Sequence, residues 1–200
     1  MSCVYVIDDD ESVLKATTRV LRAAGFEVRP FASALAYLEQ FDPEAPGCLV
    51  LDLNMPGLSG LQLQQELIDR GGRPSIVFLS GRADIPMSVT AMKGGAVEFL
   101  EKPVDAPALM KAVHAAFEAD HRERELRANR AVVARRLATL TPREEQVLRG
   151  VVAGKLNKQI AGELGTAEKT IKVHRGRVME KMQVDSVAAL VHAAARVDIG

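Results

Sequence analysis

The chain has 200 residues, of which 48% are hydrophobic and 26% are charged. This composition is ordinary for a globular protein, and the length suffices for one large domain or two small ones. No apolar run reaches the roughly 18 residues that a membrane span requires, and the N-terminus lacks the charged-then-apolar pattern of a signal peptide. We therefore expect a cytoplasmic protein with no membrane partner. Cys3 and Cys48 lack metal-ligand spacing and are most simply core thiols of a reducing compartment.

The net charge of zero conceals an asymmetry along the chain. Residues 1–120 hold 10 Lys or Arg against 17 Asp or Glu, whereas residues 121–200 hold 16 against 9. An acidic half followed by a basic half indicates two domains with different partners. The basic half is a candidate for nucleic-acid binding, since Lys and Arg displace counterions from phosphates. A pair of solvated surfaces explains the charges equally well.

Strand-like and helix-like segments alternate through the first half of the chain. Five short apolar segments predict β-strands at Cys3–Ile7, Phe26–Pro30, Cys48–Asp52, Ser75–Leu79 and Val97–Leu100. Segments suited to helices follow them, and Asp105 can cap the fifth helix with Pro107 in its first turn. The β–α repeats and the nearly unbroken apolar strands predict an α/β fold, with a parallel sheet covered by helices on both faces. In such sheets, ligands bind beyond the carboxyl ends of the strands.

The fifth predicted helix has no obvious end. From Ala106 to about Leu137 there is no glycine, and no proline follows Pro107. We favour one helix over this length, although its polar middle also suits a break within Asp120–Arg130. The expected domains are residues 1–119 and 139–200, joined by a linker at 120–138 that continues the fifth helix.

The last 60 residues are predicted to form four helices. Residues with good capping chemistry open three of them: Thr141 (in a capping box with Glu144, with Pro142 at the first helical position), Asn157 and Ser186. The third helix is expected from about Glu168 to Met182, after a Gly-Thr turn. Ala167 stands at its cap position, and Thr166 could cap instead if the helix began one residue earlier. Two helices joined by a short glycine-containing turn describe a helix-turn-helix.

Polar residues follow four of the predicted strands. They are Asp8, Asp9 and Asp10 after the first, Asp52 at the end of the third, Ser80 after the fourth and Lys102 after the fifth. Because parallel strands end at one edge of the sheet, we expect these groups to converge. Grouped carboxylates without His or Cys select Mg²⁺ or a similar hard cation, and one carboxylate can be a nucleophile towards a phosphoryl group. Taken singly, each has an ordinary explanation as a helix cap, a turn former or a solvated lysine, but their shared edge favours a site.

Several segments carry a resemblance to a known family. IDDDES, LDLNMPGLSG and LSGRADIPMSVTAMKGGAVEFLEKP resemble the receiver domain of two-component response regulators, which has a flavodoxin-like (βα)5 fold. LTPREEQVL, GKLNKQIAGELG and KTIKVHR resemble the LuxR-type helix-turn-helix, an all-α four-helix domain. Their combination looks like the FixJ branch of the FixJ/NarL regulators, and it covers nearly the whole chain except the linker.

The resemblance implies a role for each acidic residue. Asp52 would be the phosphorylated aspartate and a ligand of the cofactor, Mg²⁺ or Mn²⁺. Asp9 would bind the metal directly, Asp8 would hold it mainly through water, and the backbone carbonyl of Asn54 would be a further ligand. Asp10 has no metal role in the family, and we assign it to the N-terminus of the first helix, where the helix dipole favours a negative charge.

The resemblance also implies a switch made of Ser80, Phe99 and Lys102. Lys102 would pair with the acyl phosphate, and the Lys102–Pro103 bond is cis in relatives. Phe99 stands where single-domain relatives carry Tyr. A phenyl ring cannot donate a hydrogen bond, so switching at this position must work through packing.

The third helix of the second domain resembles a DNA-reading helix. The residues expected to contact DNA are Asn157, Lys158, Lys169, Thr170, Lys172, Val173, His174, Arg175, Arg177 and Lys181. Lys172, Val173 and Gly176 correspond to positions that read the major groove in relatives. Gly176 has no side chain with which to read, and either Arg175 or Arg177 is left to replace it.

The predicted function is that of a DNA-binding response regulator in a two-component phosphorelay. A sensor histidine kinase would phosphorylate Asp52, and the resulting homodimer would bind double-stranded DNA and regulate transcription. In this family regulation is usually activation through contact with RNA polymerase. The alternative is a phosphorylation-independent regulator whose receiver serves only for dimerisation.

Enzymatic functions fit the sequence less well. A phosphotransfer enzyme would leave the capped helix-turn-helix unexplained. Phosphatases of the haloacid dehalogenase type carry a second aspartate two residues after the nucleophile, where this chain has Asn54. A receiver promotes its own phosphorylation and dephosphorylation, but we do not expect a turnover enzyme.

Overall fold

The computed structural model describes residues 2–81, 85–197 and 199, without the side chain of Ile85. The chain divides into two units, Met1–Arg124 and Glu125–Gly200. Among the helices in the described ranges, none is both long enough and apolar enough to cross a membrane.

A five-stranded parallel sheet forms the centre of the first unit. Its strands are β1 (Cys3–Ile7), β2 (Glu27–Phe31), β3 (Gly47–Asp52), β4 (Ser75–Ser80) and β5 (Glu98–Glu101). The strand order is β2-β1-β3-β4-β5, and all neighbours pair in parallel. Every residue of β3 and β4 is buried, as the unbroken apolar pattern predicts. The predicted α/β fold is confirmed, and each strand end lies within one residue of its predicted position.

Helices cover both faces of the sheet. They are α1 (Glu11–Ala23), α2 (Ala34–Leu38), α3 (Gly60–Asp69), α4 (Ile85–Lys93) and α5 (Ala106–Leu137). α2, α3 and α4 pack on one face around Phe78 and Leu51. α1 and α5 pack on the other face around Val50 and Val77. The strand order reverses between β1 and β3, so their carboxyl ends border the crevice where such sheets bind ligands.

The middle of α5 is held to the first unit by a buried carboxylate. Asp120 is only 7% exposed, and its Oδ2 accepts a hydrogen bond of 3.2 Å from the backbone N–H of Gly47. Arg124 donates from Nε to both carboxylate oxygens of Asp120, at 3.0 and 2.9 Å. Its terminal nitrogens donate to the carbonyl oxygens of Glu44, at 2.8 Å, and Ala45. Part of the stretch predicted as linker therefore contacts the segment that leads into β3.

The second unit contains the helices α6 (Pro142–Val152), α7 (Asn157–Glu163), α8 (Glu168–Met182) and α9 (Val187–Ala195). They close around a core that includes Leu148, Ile160, Ile171, Val178 and Leu190. The predicted capping box at the start of α6 and the Ser186 cap of α9 are present. The predicted helix-turn-helix corresponds to α7, the turn after Glu163, and α8.

Two helix N-caps in this unit differ from the capping residues that the sequence offered. Asn157 is the first residue of α7 rather than its cap, because the N-cap is Leu156, whose N–H donates to Gln159 Oε1 at 2.8 Å. α8 spans Glu168–Met182, as predicted, but its N-cap is Ala167, which makes no side-chain cap, and not Thr166. Neither change moves the helix far, but both place a residue without a capping side chain at the N-terminus.

Candidate functional site

Three residues predicted to form the site meet at the carboxyl edge of the sheet. Lys102 donates from Nζ to Asp8 Oδ2 at 2.6 Å and to Asp52 Oδ1 at 2.7 Å. Asp8 is 2% exposed and Asp52 is 5% exposed. The lysine lies 94 and 50 positions along the chain from these partners. The parallel sheet brings them together because Asp8 follows β1, Asp52 ends β3 and Lys102 follows β5.

A third carboxylate completes the acidic edge. Asp9 is exposed, and one carboxylate oxygen each of Asp8, Asp9 and Asp52 lies within 4.8 Å of the others. The buried pair is oriented by backbone donors, since Asp8 Oδ1 accepts from the N–H of Asp10 and Asp52 Oδ2 from that of Asn54, both at 3.0 Å. Three hard oxygen donors at this spacing suit a divalent cation such as Mg²⁺.

Burial and charge act against each other at this edge. Burial raises the pKa of Asp8, and the hydrogen bond and charge of Lys102 oppose that shift without cancelling it. Burial also disfavours the charged form of Lys102, but its hydrogen bonds to Asp52 and Asp8 outweigh burial and raise the pKa of its ammonium. The edge therefore holds the Lys102 ammonium beside the Asp8 carboxylate, whose charged form burial disfavours.

Asp10 does not belong to this group. Its Oδ1 accepts hydrogen bonds from the N–H of Ser12 at 2.8 Å and from that of Val13 at 3.3 Å, so it caps α1. The hydroxyl of Ser12, followed by these two backbone donors, lowers the pKa of Asp10. The assignment of Asp10 to the helix start is confirmed by this geometry.

Two of the predicted switch residues, Ser80 and Phe99, lie on β4 and β5. Ser80 ends β4, is fully buried, and accepts at its carbonyl a 2.7 Å hydrogen bond from the N–H of Lys102. Phe99 lies on β5 opposite Phe78 and packs, half-buried, against the core. The Lys102–Pro103 peptide bond is cis, as the resemblance implied. Residues 82–84 of the quoted motif lie outside the described residues.

α8 presents one apolar face and one basic face. Ile171, Val178 and Met182 are buried in the core of the second unit. The exposed residues of the helix include Lys169, Thr170, Lys172, Val173 and Arg177, all of which are predicted to contact DNA. Lys158 on α7 is exposed as well. These side chains are available to a nucleic acid without any rearrangement of the core.

The remaining residues predicted to contact DNA are partly buried and, in three cases, hydrogen-bonded within the unit. Arg175 donates from Nη1 to Asn157 Oδ1 at 3.1 Å, which joins α8 to the start of α7. His174 is half-buried, and its Nδ1 has no hydrogen-bond partner in the part of the chain that the structure describes. Lys181 donates from Nζ to Glu144 Oε2 at 2.6 Å and to the carbonyl of Thr139 at 2.9 Å.

The pair of Lys181 and Glu144 was not foreseen. Glu144 is 2% exposed, and it also accepts from the N–H of Thr141 at 2.9 Å in the capping box. The bond from Lys181, followed by that from Thr141, lowers the pKa of Glu144 to about 2. Lys181 thus ties the C-terminal end of α8 to the N-terminus of α6. The capping box was readable from the sequence, but its partner 37 positions away was not.

Two family models match the chain. Residues 4–114 match the response regulator receiver domain, and residues 138–194 match the bacterial regulatory proteins of the luxR family. Nodulation protein W of Bradyrhizobium diazoefficiens is 46% identical over 188 residues, which are 94% of this chain and 83% of that protein. Response regulator protein TodT of Pseudomonas putida is 41% identical over 195 residues, or 98% of this chain and 86% of that protein.

FixJ proteins are similar in both sequence and structure. Transcriptional regulatory protein FixJ of B. diazoefficiens is 39% identical over 193 residues, or 96% of this chain and 94% of that protein. Full-length FixJ from B. japonicum has a TM-score of 0.60 at 38% identity, covering 98% of this chain and 97% of that one. The low-resolution structure of response regulator StyR has a TM-score of 0.81 at 46% identity, covering 98% of both chains.

A parallel-sheet unit with an acidic edge, followed by a helix-turn-helix with a basic face, defines a response regulator that acts on DNA. Such a regulator has two classes of partner, a sensor kinase and DNA, and it is not a classical enzyme. The chain belongs to the FixJ branch of the response regulators that join a receiver domain to a LuxR-type helix-turn-helix.

Proposed function

We propose that a sensor histidine kinase transfers a phosphoryl group to Asp52 and thereby switches the DNA-binding activity of the chain. One observation carries this proposal: the ammonium of Lys102 bridges Asp8 and Asp52, with a carboxylate oxygen of Asp9 within 4.8 Å of theirs. A nucleophilic carboxylate, a fixed cation and a set of metal ligands at one sheet edge are the groups that phosphoryl transfer requires.

The proposed metal ligands are Asp8, Asp9, Asp52 and the backbone carbonyl of Asn54. Their hard oxygen donors fit Mg²⁺, or Mn²⁺ in its place. When bound, the cation supplies positive charge that offsets both the carboxylates and the transferred oxygens. Asp9, the exposed member of the group, is the proposed direct ligand, and buried Asp8 acts mainly through water.

The proposed switch begins when Asp52 becomes phosphorylated. Lys102 then pairs with the phosphoryl oxygens, and the Ser80 hydroxyl donates a hydrogen bond to them. Phe99 follows by packing, because its ring has no hydrogen-bonding group. In energetic terms the phosphoryl group is a ligand that binds one of two states more tightly.

Receivers in the phosphorylated state pair, in this proposal, through a face built from α4 and β5, to which α5 can add. Apolar side chains on α4 support this assignment, since Met87, Val89 and Met92 are 38%, 46% and 46% exposed. The homodimer then places two helix-turn-helix units on DNA half-sites spaced by about one helical turn. Contact with RNA polymerase would make the protein an activator. The proposed domains are residues 1–119 and 139–200, with 120–138 as linker.

The proposed DNA surface is centred on the exposed face of α8. Lys172 and Val173 are assigned to base edges, and the neighbouring cations to phosphates, which give affinity without sequence information. The surface comprises Asn157, Lys158, Lys169, Thr170, Lys172, Val173, His174, Arg175, Arg177 and Lys181.

Acetyl phosphate tests the phosphorylation step on the full chain. In the presence of Mg²⁺, the intact mass should rise by one phosphoryl group, and affinity for DNA should rise with it. Asp52→Asn should gain no mass, whereas Asp10→Asn, the matched change at the helix cap, should gain as the wild type does. An undiminished gain in Asp52→Asn would contradict the proposal.

The DNA surface is tested by Lys172→Ala. We expect the variant to accept phosphate normally and to lose DNA binding. Lys155→Ala is the matched control, because Lys155 is engaged by Glu163 at 2.6 Å on the same unit. Equal losses in the two variants would show that α8 is not the reading surface.

A further inference from the structure

Gly176 lies in the interior of α8, where neither backbone geometry nor packing calls for a glycine. It does not adopt a positive φ, and a Cβ built on it would meet no atom of the described residues within 4 Å. Glycine inside a helix lowers the ratio of folded to unfolded chain about fivefold relative to alanine. The structure of the free protein gives no compensation for this cost, so a compensation must come from something that α8 binds.

The position of Gly176 on the helix indicates what it binds. Lys169, Lys172, Val173 and Gly176 follow the spacing i, i+3, i+4, i+7, and all four are exposed. They form one stripe on the side of α8 away from its buried residues, Ile171, Val178 and Met182. Within this stripe, the bare backbone of Gly176 lies one turn after Val173, whose side chain is 50% exposed. At this point the stripe therefore carries no side chain, next to an exposed valine and among cationic residues.

We propose that Gly176 determines DNA sequence specificity by leaving room for the 5-methyl group of a thymine against the α8 backbone. The inference rests on the proposed function of this face. The thymine methyl is the apolar group that projects into the major groove, and aliphatic side chains such as that of Val173 recognise it by contact. A side chain at position 176 would occupy the same space and hold the helix away from the bases.

The first test compares Gly176→Ala with Gly162→Ala in the full chain. Gly162 is the matched control, because it is also an exposed helical glycine without a neighbour within 4 Å. Each variant, treated with acetyl phosphate and Mg²⁺, is titrated with a mixed-sequence duplex and with a duplex that the wild type selects from a random pool. Both substitutions should raise the melting temperature of the second unit.

Only Gly176→Ala should lower the ratio of the affinity for the selected duplex to the affinity for the mixed-sequence duplex. We expect a loss of about tenfold, because that is the effect of losing one base contact. Gly176→Lys sharpens the test, because an added cation ordinarily strengthens binding to phosphates. We expect this variant to bind the mixed duplex more tightly and the selected duplex more weakly. A wild-type ratio in either Gly176 variant would overturn the inference.

Deoxyuridine in place of thymidine tests the methyl group itself. The wild type should lose about tenfold in affinity for the substituted selected duplex, and Gly176→Ala should lose little further. Unchanged wild-type affinity would overturn the assignment to thymine. Lys172→Ala distinguishes failure of the proposed DNA surface from failure of the Gly176 inference. If Lys172→Ala still binds DNA, both are wrong. If Lys172→Ala loses DNA binding while Gly176→Ala keeps the wild-type affinity ratio, only the Gly176 inference is wrong.

Discussion

The acidic edge of the first unit and the basic face of α8 are built in opposite ways. The edge joins residues 94 and 50 positions apart, buries two of its carboxylates and balances them with Lys102. The basic face comes almost entirely from one helix, on which Lys169, Lys172 and Arg177 are exposed. A site assembled across a sheet depends on the whole fold, whereas a helix face depends on its own turns. Substitutions should therefore affect stability strongly at the edge and weakly on the face.

The largest effect is expected at Lys102. Lys102→Met leaves Asp8 and Asp52 buried without a counterion, and the free energy of unfolding of the first unit should fall by about 3 kcal/mol without Mg²⁺. Tyrosine fluorescence measures this unit alone, because the chain has no Trp and its two Tyr residues, Tyr5 and Tyr37, lie in it. Lys15→Met, which breaks the exposed pair with Glu11, is the control and should change little. Equal losses of unfolding free energy in Lys102→Met and Lys15→Met would show that the buried ion pairs contribute no more stability than an exposed one.

Lys181 tests whether the basic face is purely local. Lys181→Met leaves Glu144 buried without its ion-pair partner, and we expect the second unit to lose about 2 kcal/mol, less than at Lys102 because Lys181 is partly exposed. Hydrogen exchange of the α6 and α8 amides measures the loss. A variant that kept its protection and showed only a reduced salt dependence of DNA binding would mean that Lys181 contacts phosphate without stabilising Glu144.

The same pair predicts a dependence on pH. The folded pKa of Glu144, about 2, lies below its ordinary value of 4.5. Its charge therefore stabilises the folded unit above pH 4.5, and that contribution is lost as the pH falls towards 2. The stability difference between wild type and Lys181→Met should shrink over this window. A difference that stays constant down to pH 2 would show that the carboxylate is not the partner that matters.

Asp10 should show a smaller effect, confined to α1. Asp10→Ala removes the cap that accepts from Ser12 and Val13, so the first unit should become less stable while Mg²⁺ affinity is retained. Asp9→Ala is the matched change, and it should lower Mg²⁺ affinity while the first unit keeps its stability. Isothermal titration with Mg²⁺ and thermal unfolding distinguish the two. If Asp10→Ala abolished Mg²⁺ binding as fully as Asp9→Ala, the division of the acidic cluster would be wrong.

The smallest effect is expected between Asn157 and Arg175. Their hydrogen bond of 3.1 Å connects two helices, so their alanine substitutions should weaken DNA binding non-additively, with a coupling of about 0.5 kcal/mol. Lys169 and Arg177 lie on one helix without such a bond, and their substitutions should add. A double-mutant cycle at fixed salt measures both pairs. Additive losses at Asn157 and Arg175 would mean that Asn157 does not position the arginine.

The sequence was informative wherever the signal is local. Apolar runs predicted the five strands, and the capping chemistry of Thr141 and Ser186 predicted the starts of α6 and α9. The convergence of Asp8, Asp52 and Lys102 was also predictable, because the carboxyl ends of parallel strands lie at the same edge of the sheet. Asn157 was misplaced as a cap because Gln159, two residues later, takes the N–H that precedes the helix.

Long-range pairs were beyond the reach of the sequence. Lys181 has the charge and the helix position expected of a DNA contact. Only the folded unit shows that its ammonium donates a hydrogen bond to Glu144. Asp120 and Arg124 lie in a polar stretch typical of a linker. Nothing in that stretch predicts that they bind backbone groups 73 and 80 positions earlier. Charged residues on helices are ambiguous for this reason, since periodicity gives their face but not their partner.

The contacts of Arg124 have a consequence for how the chain can vary. Arg124 binds the carbonyl oxygens of Glu44 and Ala45, and Asp120 binds the N–H of Gly47, so all three are backbone groups. Substitutions at positions 44 and 45 therefore leave the carbonyl oxygens that Arg124 binds in place. The length of the segment is not free, because an insertion or deletion would shift the carbonyls away from the guanidinium. Substitutions at positions 44 and 45 should therefore preserve the bonds to Arg124, a side chain at Gly47 would collide with the carbonyl oxygen of Cys3, and changes in length should break the bonds.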